Sequence, residues 1–580
     1  MRRSRRLRLV RHEPLIIKGG YVIDPLNKVN CEVMDIGVSN GKIVDPSTIE
    51  GKAKVIDAKG KLVMPGGIDL HTHIAGPKFN AGRIMSPYDH RRAWIKATLD
   101  GWSGVGLTVP STTFIGYRYA QMGWTTVVEP ATPPLKTRHT HEELDATPIV
   151  DKACFPLFGN SRIVMELVSK NDIESLKAYV AWVLKSVKGY AIKIVNPGVA
   201  EPTWWNRYVG LDLDDQLPEF GITPREIVRA LCRASIELKL PHPIHVHCNR
   251  LGFPGNYITT LRTMDCVSDL YKGDRPIIHI THVQFTGYAG TSWANLASGG
   301  DEIAKYLNSH DHVTLDLGQV VFGDAITMTA DAPFEFVLFH ILMGKWHCTM
   351  TEAEATAGVV PYVYRKNNYV NTVQWCIGLD VALLTKDPWK VVFATDNPNA
   401  GRFTKYPLAL SWFVSKRARE EVMKKVNRRA LKHVALPSID REYTLYDVAI
   451  VTRAGPAKIL GIEKHKGHLG IGADADLVIY DLNPVEVDVS RDYEVLIKAF
   501  RRAYCTIKSG VIVVKEGNVV KPDFYGATYY VDATKCVDPD IYDKTIKHLK
   551  EVFSQHYSVS FNNYIIDDRE LRNPIKLEVR

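Results

Sequence analysis

The chain is predicted to be α/β: a (β/α)8, TIM-like barrel with insertions, plus a small discontinuous β-sandwich domain built from its two arms. Three observations carry this. Eight short apolar runs alternate with amphipathic helical stretches through the middle of the 580 residues, as a parallel barrel requires. Those runs are apolar on both faces, as strands are when helices cover the sheet. Hairpin-like stretches with Gly-rich turns sit only at the two ends.

The amino-terminal arm, 14–65, reads as strands and turns (LIIKGGYVID, MDIGVSNGKIV, AKVIDAKGKLVMPG). The matching arm, 460–520, carries GHLGIGADADLVIYDL and CTIKSGVIVVKEGNVV. The barrel is expected over 66–459, its strands at GGIDLHTH, TTVVEPA, ACFPLFG, YAIKIVNPG, PIHVHCN, PIIHITHV, HVTLDLGQV and VVFATDNP. Helices are expected over 171–189 and 223–240. In the second, Thr223, Pro224 and Glu226 spell a capping box with proline at the first helical position. Insertions at 74–123 and 322–389, the latter with Trp346, Trp375 and Trp389, follow the first and seventh strands. They therefore belong at the carboxyl face, where barrel active sites lie. Residues 1–13 form a basic tail and 521–580 a carboxyl-terminal extension.

Composition excludes several classes. Hydrophobic residues make 45% and charged residues 24%, ordinary for a globular chain and not for a disordered one. No run of 18 apolar residues occurs, and the basic start lacks the apolar core of a signal peptide, so a cytoplasmic protein is expected. Nine cysteines without a CxxC make a disulfide framework, a zinc ribbon or a bacterial-type cluster motif poor readings. No dinucleotide fingerprint appears, so no redox cofactor is expected in this chain. The net charge of +9 suits an acidic ligand or protein partner better than nucleic acid. The arginines at 2, 3, 5, 6, 8 and 11 read as a solvated tail, with RNA or partner docking the alternative.

Chance placement of 20 histidines would give about 0.7 HxH pairs, so one pair is a weak motif. There are four, and context separates them. His71/His73 follow an apolar strand directly, and strand residues i and i+2 share a face, so two imidazoles enter one space. His139/His141 and His310/His312 sit in polar stretches and are expected on the surface. Lys193 lies inside an otherwise buried strand, where an unpaired amine tends to lose its proton. It either pairs and snorkels, or as a neutral amine takes up CO₂ to become a bridging carbamate. His247, His282 and Asp396 end three further strands, so all converge on one rim. Such imidazoles and carboxylates suit zinc, and two ions can share a hydroxide and polarise a carbonyl.

These ordered motifs over 14–520 resemble the amidohydrolase superfamily, with MPGGIDLHTH and the closing GHLGIGADADLVIYDL typical of its dihydroorotase, hydantoinase and urease branch. The resemblance implies two Zn²⁺ ions, one held by His71, His73 and Asp396, the other by His247 and His282, bridged by N6-carboxylated Lys193. Asp396 would act as catalytic base and acid. His247 is preferred to His245 because VHCN resembles the ligand-bearing fifth strand, and His282 to His279 because THV resembles the sixth.

A narrower set, HTHIAGPKFNAGR, AIKIVNPG, IHVHCNRLGFPGNY and HITHVQFTGY, resembles the A subunits of formylmethanofuran dehydrogenases. That implies condensation of formate with methanofuran, and the reverse hydrolysis. It also implies molybdenum- or tungsten-containing and iron–sulfur partner subunits, without nucleic acid or membrane. The A subunit of a formyltransferase/hydrolase complex and a free-standing dihydropyrimidinase or dihydroorotase are the competing enzyme readings; a metal-free scaffold is the non-enzymatic one. Lys78, Asn80 and Arg83 could bind the acidic tail of such a cofactor. Trp204, Trp205 and the tryptophans of 322–389 could line a cleft or face a partner.

Overall fold

The structure, a computed structural model, describes residues 13–91, 94–96, 102–199 and 210–579. The arginine tail and Trp204–Trp205 lie outside the described residues.

Eight parallel strands build the barrel: Gly67–Asp69, Trp124–Thr132, Asp151–Pro156, Lys193–Val195, Ile244–His247, Ile278–Ile280, Val313–Asp316 and Val391–Val392. Each overlaps one of the eight apolar runs, the second and third strands starting before theirs. Hydrogen-bonded ladders join the first three and the last five. Two single parallel bridges, Leu157 with Lys193 and Thr72 with Asn397, close the ring. Both seams therefore lie beside residues expected at the site. The helices Ile173–Ser186 and Pro224–Glu237 cover the outside. Thr223 and Glu226 form the reciprocal cap that the sequence spelled.

The two arms meet in one nine-stranded sheet. Its junction is the antiparallel pairing of Leu62–Pro65 with Leu477–Tyr480. Leu15, Ile17, Val38, Val63, Leu477 and Ile507 share an apolar cluster separate from the barrel core. Two buried lysines fasten this sheet to the third barrel strand. Lys508 Nζ lies 2.8 Å from Asp151 and 2.9 Å from Asp476, and Lys466 Nζ lies 2.6 and 2.7 Å from the same carboxylates. Opposite charges this deep must be paired, because an isolated one would cost several kcal/mol, about the whole stability margin of many domains.

The carboxyl-terminal extension does more than trail away. Its strand Thr528–Asp532 pairs with the third barrel strand at Lys152, and Val531 N–H donates to Gly189 O at 3.0 Å. It thus enters beside the third strand near the Leu157–Lys193 seam. The following helix, Pro539–His556, packs on Ile173–Ser186. Trp182 stacks on Phe561 and Tyr564 at 5.2 and 5.4 Å between ring centres.

The insertion after the seventh strand forms a three-stranded antiparallel sheet, Gly323–Thr329, Ala355–Tyr364 and His347–Thr351, with the helix Ala332–Leu342 beside it. A turn of this insertion is clasped from outside. Glu354 accepts from Tyr557 and Tyr564 hydroxyls at 3.1 and 2.9 Å and from Leu135 N–H at 2.7 Å. The tryptophans of this region serve packing. Trp375 is buried against Phe322 and Trp412, Trp346 lies on Phe336 and Phe339, and Lys458 sits over Trp389.

Two histidines expected on the surface are buried. His141 and His139 lie on the helix Thr137–Ala146, where residues two apart point about 200° apart. His139 faces out, while His141 donates to Val187 O at 3.0 Å. His312 stands just before the seventh strand and donates to Met264 O at 2.9 Å. Polar sequence surroundings did not reveal that only one of each pair faces solvent. Among the described residues no helix is long and apolar enough to cross a membrane.

Candidate metal centre

The first strand ends at Asp69 and turns sharply, so His71 and His73 enter the barrel mouth together. Asp69 holds that turn: it accepts from His71 N–H at 3.2 Å, from Tyr119 OH at 2.7 Å and from Tyr406 OH. His71 Nδ1 lies 2.8 Å from Asp316 Oδ2, and His73 Nδ1 lies 2.7 Å from Glu129 Oε1. A carboxylate can only accept, so both Nδ1 atoms donate. That fixes the tautomers that leave Nε2 free, the arrangement metal-binding imidazoles use. The Nε2 atoms lie 3.2 and 3.3 Å from Asp396 Oδ1. One donor atom from each of His71, His73 and Asp396 falls within 4.8 Å of the others.

The electrostatics call for a cation. Burial opposes charge on His71, yet Asp316 and Asp396 outweigh it and hold the imidazole up at about 9. His247 and His282 behave oppositely. Burial drives both down, His282 to about 3, so they are neutral lone-pair donors. Their rings meet edge-on at 4.7 Å, and His282 reaches His71 at 5.1 Å. His282 and Asp396 both adopt left-handed backbone, with φ of +38° and +46°. Such strain costs on the order of 1–3 kcal/mol per residue and persists where surroundings impose it. At His282 the imposing bond is visible: its N–H donates to Asp316 Oδ1 at 2.7 Å.

Lys193 is buried, its Nζ donating to Thr281 Oγ1 at 2.8 Å. Burial brings its amine down to about 7, so much of it is neutral at ordinary pH. His245 and His279 occupy the layer beneath, in register with Lys193. His279 is bonded to Thr314 at 2.9 Å and Asp316 at 3.2 Å, while His245 packs on Phe155 and His279. Neither borders the cavity; His247 and His282 do.

That cavity measures about 40 Å³ and is bordered by His71, His73, Lys193, His247, His282 and Asp396. Four atoms of this set, His71 Nε2, His247 Nε2, His282 Nδ1 and Asp396 Oδ1, are buried without a hydrogen-bond partner. Orphaned polar atoms are expensive. Although His71 Nε2 and Asp396 Oδ1 stand 3.2 Å apart, none of the four makes a well-formed hydrogen bond, and once His71 gives up its proton all four are lone-pair donors that fit divalent metal.

Of the three loop residues expected to meet an acidic tail, Lys78 borders this cavity, its Nζ buried without a partner. Asn80 lies outside it, near His139. Arg83 is spent on Glu143 and Asn80, at 2.8 and 2.6 Å, and on Pro110 O. Sequence reasoning missed Glu129 and Asp316, the carboxylates that orient His73 and His71. Asp316 ends its strand, the same signal that singled out Asp396, whereas Glu129 lies inside Trp124–Thr132. It also missed Glu335, brought to the cavity from the insertion.

Comparison with known proteins agrees with this geometry. The amidohydrolase family profile matches residues 54–514. Protein FwdA of Methanocaldococcus jannaschii is 48% identical over 560 residues, 95% of this chain and 96% of that one. The A subunit of the formyltransferase/hydrolase complex Fhc of Methylorubrum extorquens is 34% identical over 523 residues, 89% of this chain and 91% of that one. The crystal structure of that organism's FhcABCD complex with methylofuran contains a chain that superposes with a TM-score of 0.86 at 30% identity, covering 98% of this chain and 100% of that one. Dihydroorotase of Aquifex aeolicus matches only 65 residues, 11% of this chain and 15% of that one, at 49% identity. The chain therefore belongs to the amidohydrolase family and, within it, to the group formed by the A subunits of formylmethanofuran dehydrogenases.

Proposed function

We propose that this chain is the hydrolase subunit of a formylmethanofuran dehydrogenase complex, joining formate to the amine of methanofuran and hydrolysing formyl-methanofuran in reverse. The observation that carries this is the convergence of four unpartnered donor atoms on a cavity of about 40 Å³.

His71, His73 and Asp396 would hold one Zn²⁺ and His247 and His282 the second, with N6-carboxylated Lys193 between them. When bound, the metals supply Lewis acidity toward the formyl oxygen and lower the pKa of water. The remaining work is the chain's. Asp316 and Glu129 hold the imidazole tautomers, and Thr281 positions the Lys193 side chain. In hydrolysis Asp396 takes a proton from the attacking water and delivers it to the departing amine nitrogen. In condensation it returns that proton to the leaving oxygen. Lys78, inside the cavity, would meet the charge of formate. Asn80 and Arg83, at the outer groove, remain the proposed contacts for the acidic cofactor tail.

Formate must be supplied, so molybdenum- or tungsten-containing and iron–sulfur subunits are the proposed partners. The relatedness to FwdA and to the Fhc protein supports a multisubunit setting. We also propose the division into a small discontinuous β-domain (14–65 with 460–520), a barrel (66–459) and an extension (521–580); the separate apolar cluster of the nine-stranded sheet supports it.

The test is an anaerobic assay of the purified complex with formyl-methanofuran and no electron acceptor. Formate release without a dye is expected; strict dependence on the dye would overturn the reading. The A subunit of a formyltransferase/hydrolase complex is the second reading, favoured by the TM-score of 0.86, and it differs in partners, not in this chemistry.

A further inference from the structure

Glu335 is a carboxylate placed where packing alone would not put it. The helix Ala332–Leu342 reads APFEFVLFHIL, and only Ala332, Pro333 and Glu335 of it are buried. Phe336, Val337, Leu338 and Phe339 are half-exposed. The acidic residue faces in while apolar neighbours face out, the reverse of an amphipathic helix. A lone buried carboxylate is costly, so stability does not explain it, whereas function commonly does. The fold also makes room for it: a Cβ on Gly358 would come within 2.3 Å of Glu335 Cβ.

The side chain is held by one bond, Thr327 Oγ1 donating to Oε2 at 2.7 Å. Glu335 borders the cavity opposite in origin to the metal ligands: they come from barrel strands, it comes from the insertion. Both walls line the one cavity, so an occupant placed between them can meet both. Apart from the proposed ligands, Lys78 and Glu335 are the only ionisable side chains bordering it among the described residues. Lys78 Nζ has no hydrogen-bond partner, and burial pushes the Glu335 carboxyl well up and the Lys78 amine down, so each is poised to take its charge from a charged occupant. The condensation brings together two substrates of opposite charge, a carboxylate and a primary ammonium.

We infer that Glu335 is a specificity residue that receives the amine nitrogen of the acceptor, while Lys78 receives the carboxylate of formate. The inference rests on the proposed formamide chemistry and adds to it the wall from which the amine is presented. Glu335 holds N–H groups by charge-assisted hydrogen bonds; no covalent step is assigned to it. Thr327 orients its carboxylate. The insertion thereby turns a general amide-hydrolysing barrel into one that selects a primary amine as its second reactant.

The experiment measures condensation by the whole complex, varying formate and methanofuran separately, with metal content determined in each variant. Glu335→Gln should raise the KM for methanofuran by roughly 10- to 100-fold, the usual weight of a hydrogen bond to a charged group. The KM for formate should move by less than about twofold and metal content should be unchanged. Lys78→Met should show the converse selectivity. Thr327→Val keeps the carboxylate and the side-chain shape, so it tests the same idea should the glutamine variant fail to fold. It should raise the methanofuran KM in the same direction by a smaller factor. Equal change in both KM values, or in neither, overturns the assignment, because a purely structural role would not discriminate between the substrates. Asp396→Asn in parallel separates the two levels. Loss of turnover there with unchanged constants in Glu335→Gln removes this inference and leaves the formamide chemistry standing. Retained turnover in Asp396→Asn removes the chemistry itself.

Discussion

Asp316 binds His71 and His282 at once: Oδ2 accepts from His71 Nδ1 at 2.8 Å and Oδ1 from the His282 backbone N–H at 2.7 Å. One carboxylate at the end of the seventh strand thus couples an imidazole after the first strand to one after the sixth. Asp316→Asn keeps the shape but presents an amide where the imidazole N–H needs an acceptor. Metal affinity should fall by roughly 10- to 100-fold, as losses behind a ligand histidine usually do. Metal titration of the apoprotein followed by elemental analysis checks it; an unchanged dissociation constant would show that the tautomer is held elsewhere.

Carboxylation of Lys193 should follow its depressed pKa. The amine is brought to about 7 by burial, so the CO₂-reactive neutral form rises with pH through about 7 and not through the ordinary lysine range. Reconstitution of metal-free protein with zinc should require CO₂ and should gain as pH rises across that window. The ¹³C resonance of a carbamate formed from labelled CO₂ reports it directly. Lys193→Ala should lose metal under all these conditions.

Asp396→Asn removes the proton acceptor in hydrolysis. The expected loss in turnover of formyl-methanofuran is roughly 10²- to 10⁴-fold. Steady-state rates normalised to bound metal distinguish lost proton transfer from lost metal. Wild-type turnover per metal ion would exclude Asp396 from the chemistry.

The clasp on the insertion should respond to pH. Burial pushes Glu354 up to about 7, above its unfolded value. The folded state therefore binds the proton more tightly, and stability falls as pH rises from the unfolded pKa, about 4.5, to about 7. Glu354→Gln is permanently neutral and should flatten that slope. Melting temperatures of both proteins between pH 5 and 8 check this; parallel curves would mean that Glu354 stays ionised among its tyrosines.

The sequence by itself determined the barrel and which residues gather at its rim. Period, strand length and strand-end histidines are local properties, and parallel strands place their carboxyl ends on one face wherever the helices run. That is why all eight apolar runs became barrel strands, and why His71, His73, Lys193, His247, His282 and Asp396 border one cavity. Facing direction was not legible. His141 and His312 look like solvent residues in sequence and are buried, because which side of a helix or strand end meets the core depends on what packs against it. His245 and His247 differ by one position on a strand face, yet only His247 borders the cavity, since depth along the barrel is set by register with neighbouring strands. Glu129, Asp316 and Glu335 reach the site from positions 129, 316 and 335 to meet partners at 73, 71 and 327. Asp316, at a strand end, carried a local signal that Glu129, inside a strand, and Glu335, on a helix, did not. Their partners, like the clasp of Tyr557 and Tyr564 on Glu354, were decided only by closure of the chain, because a hydrogen bond between distant residues has no trace in either one's local sequence.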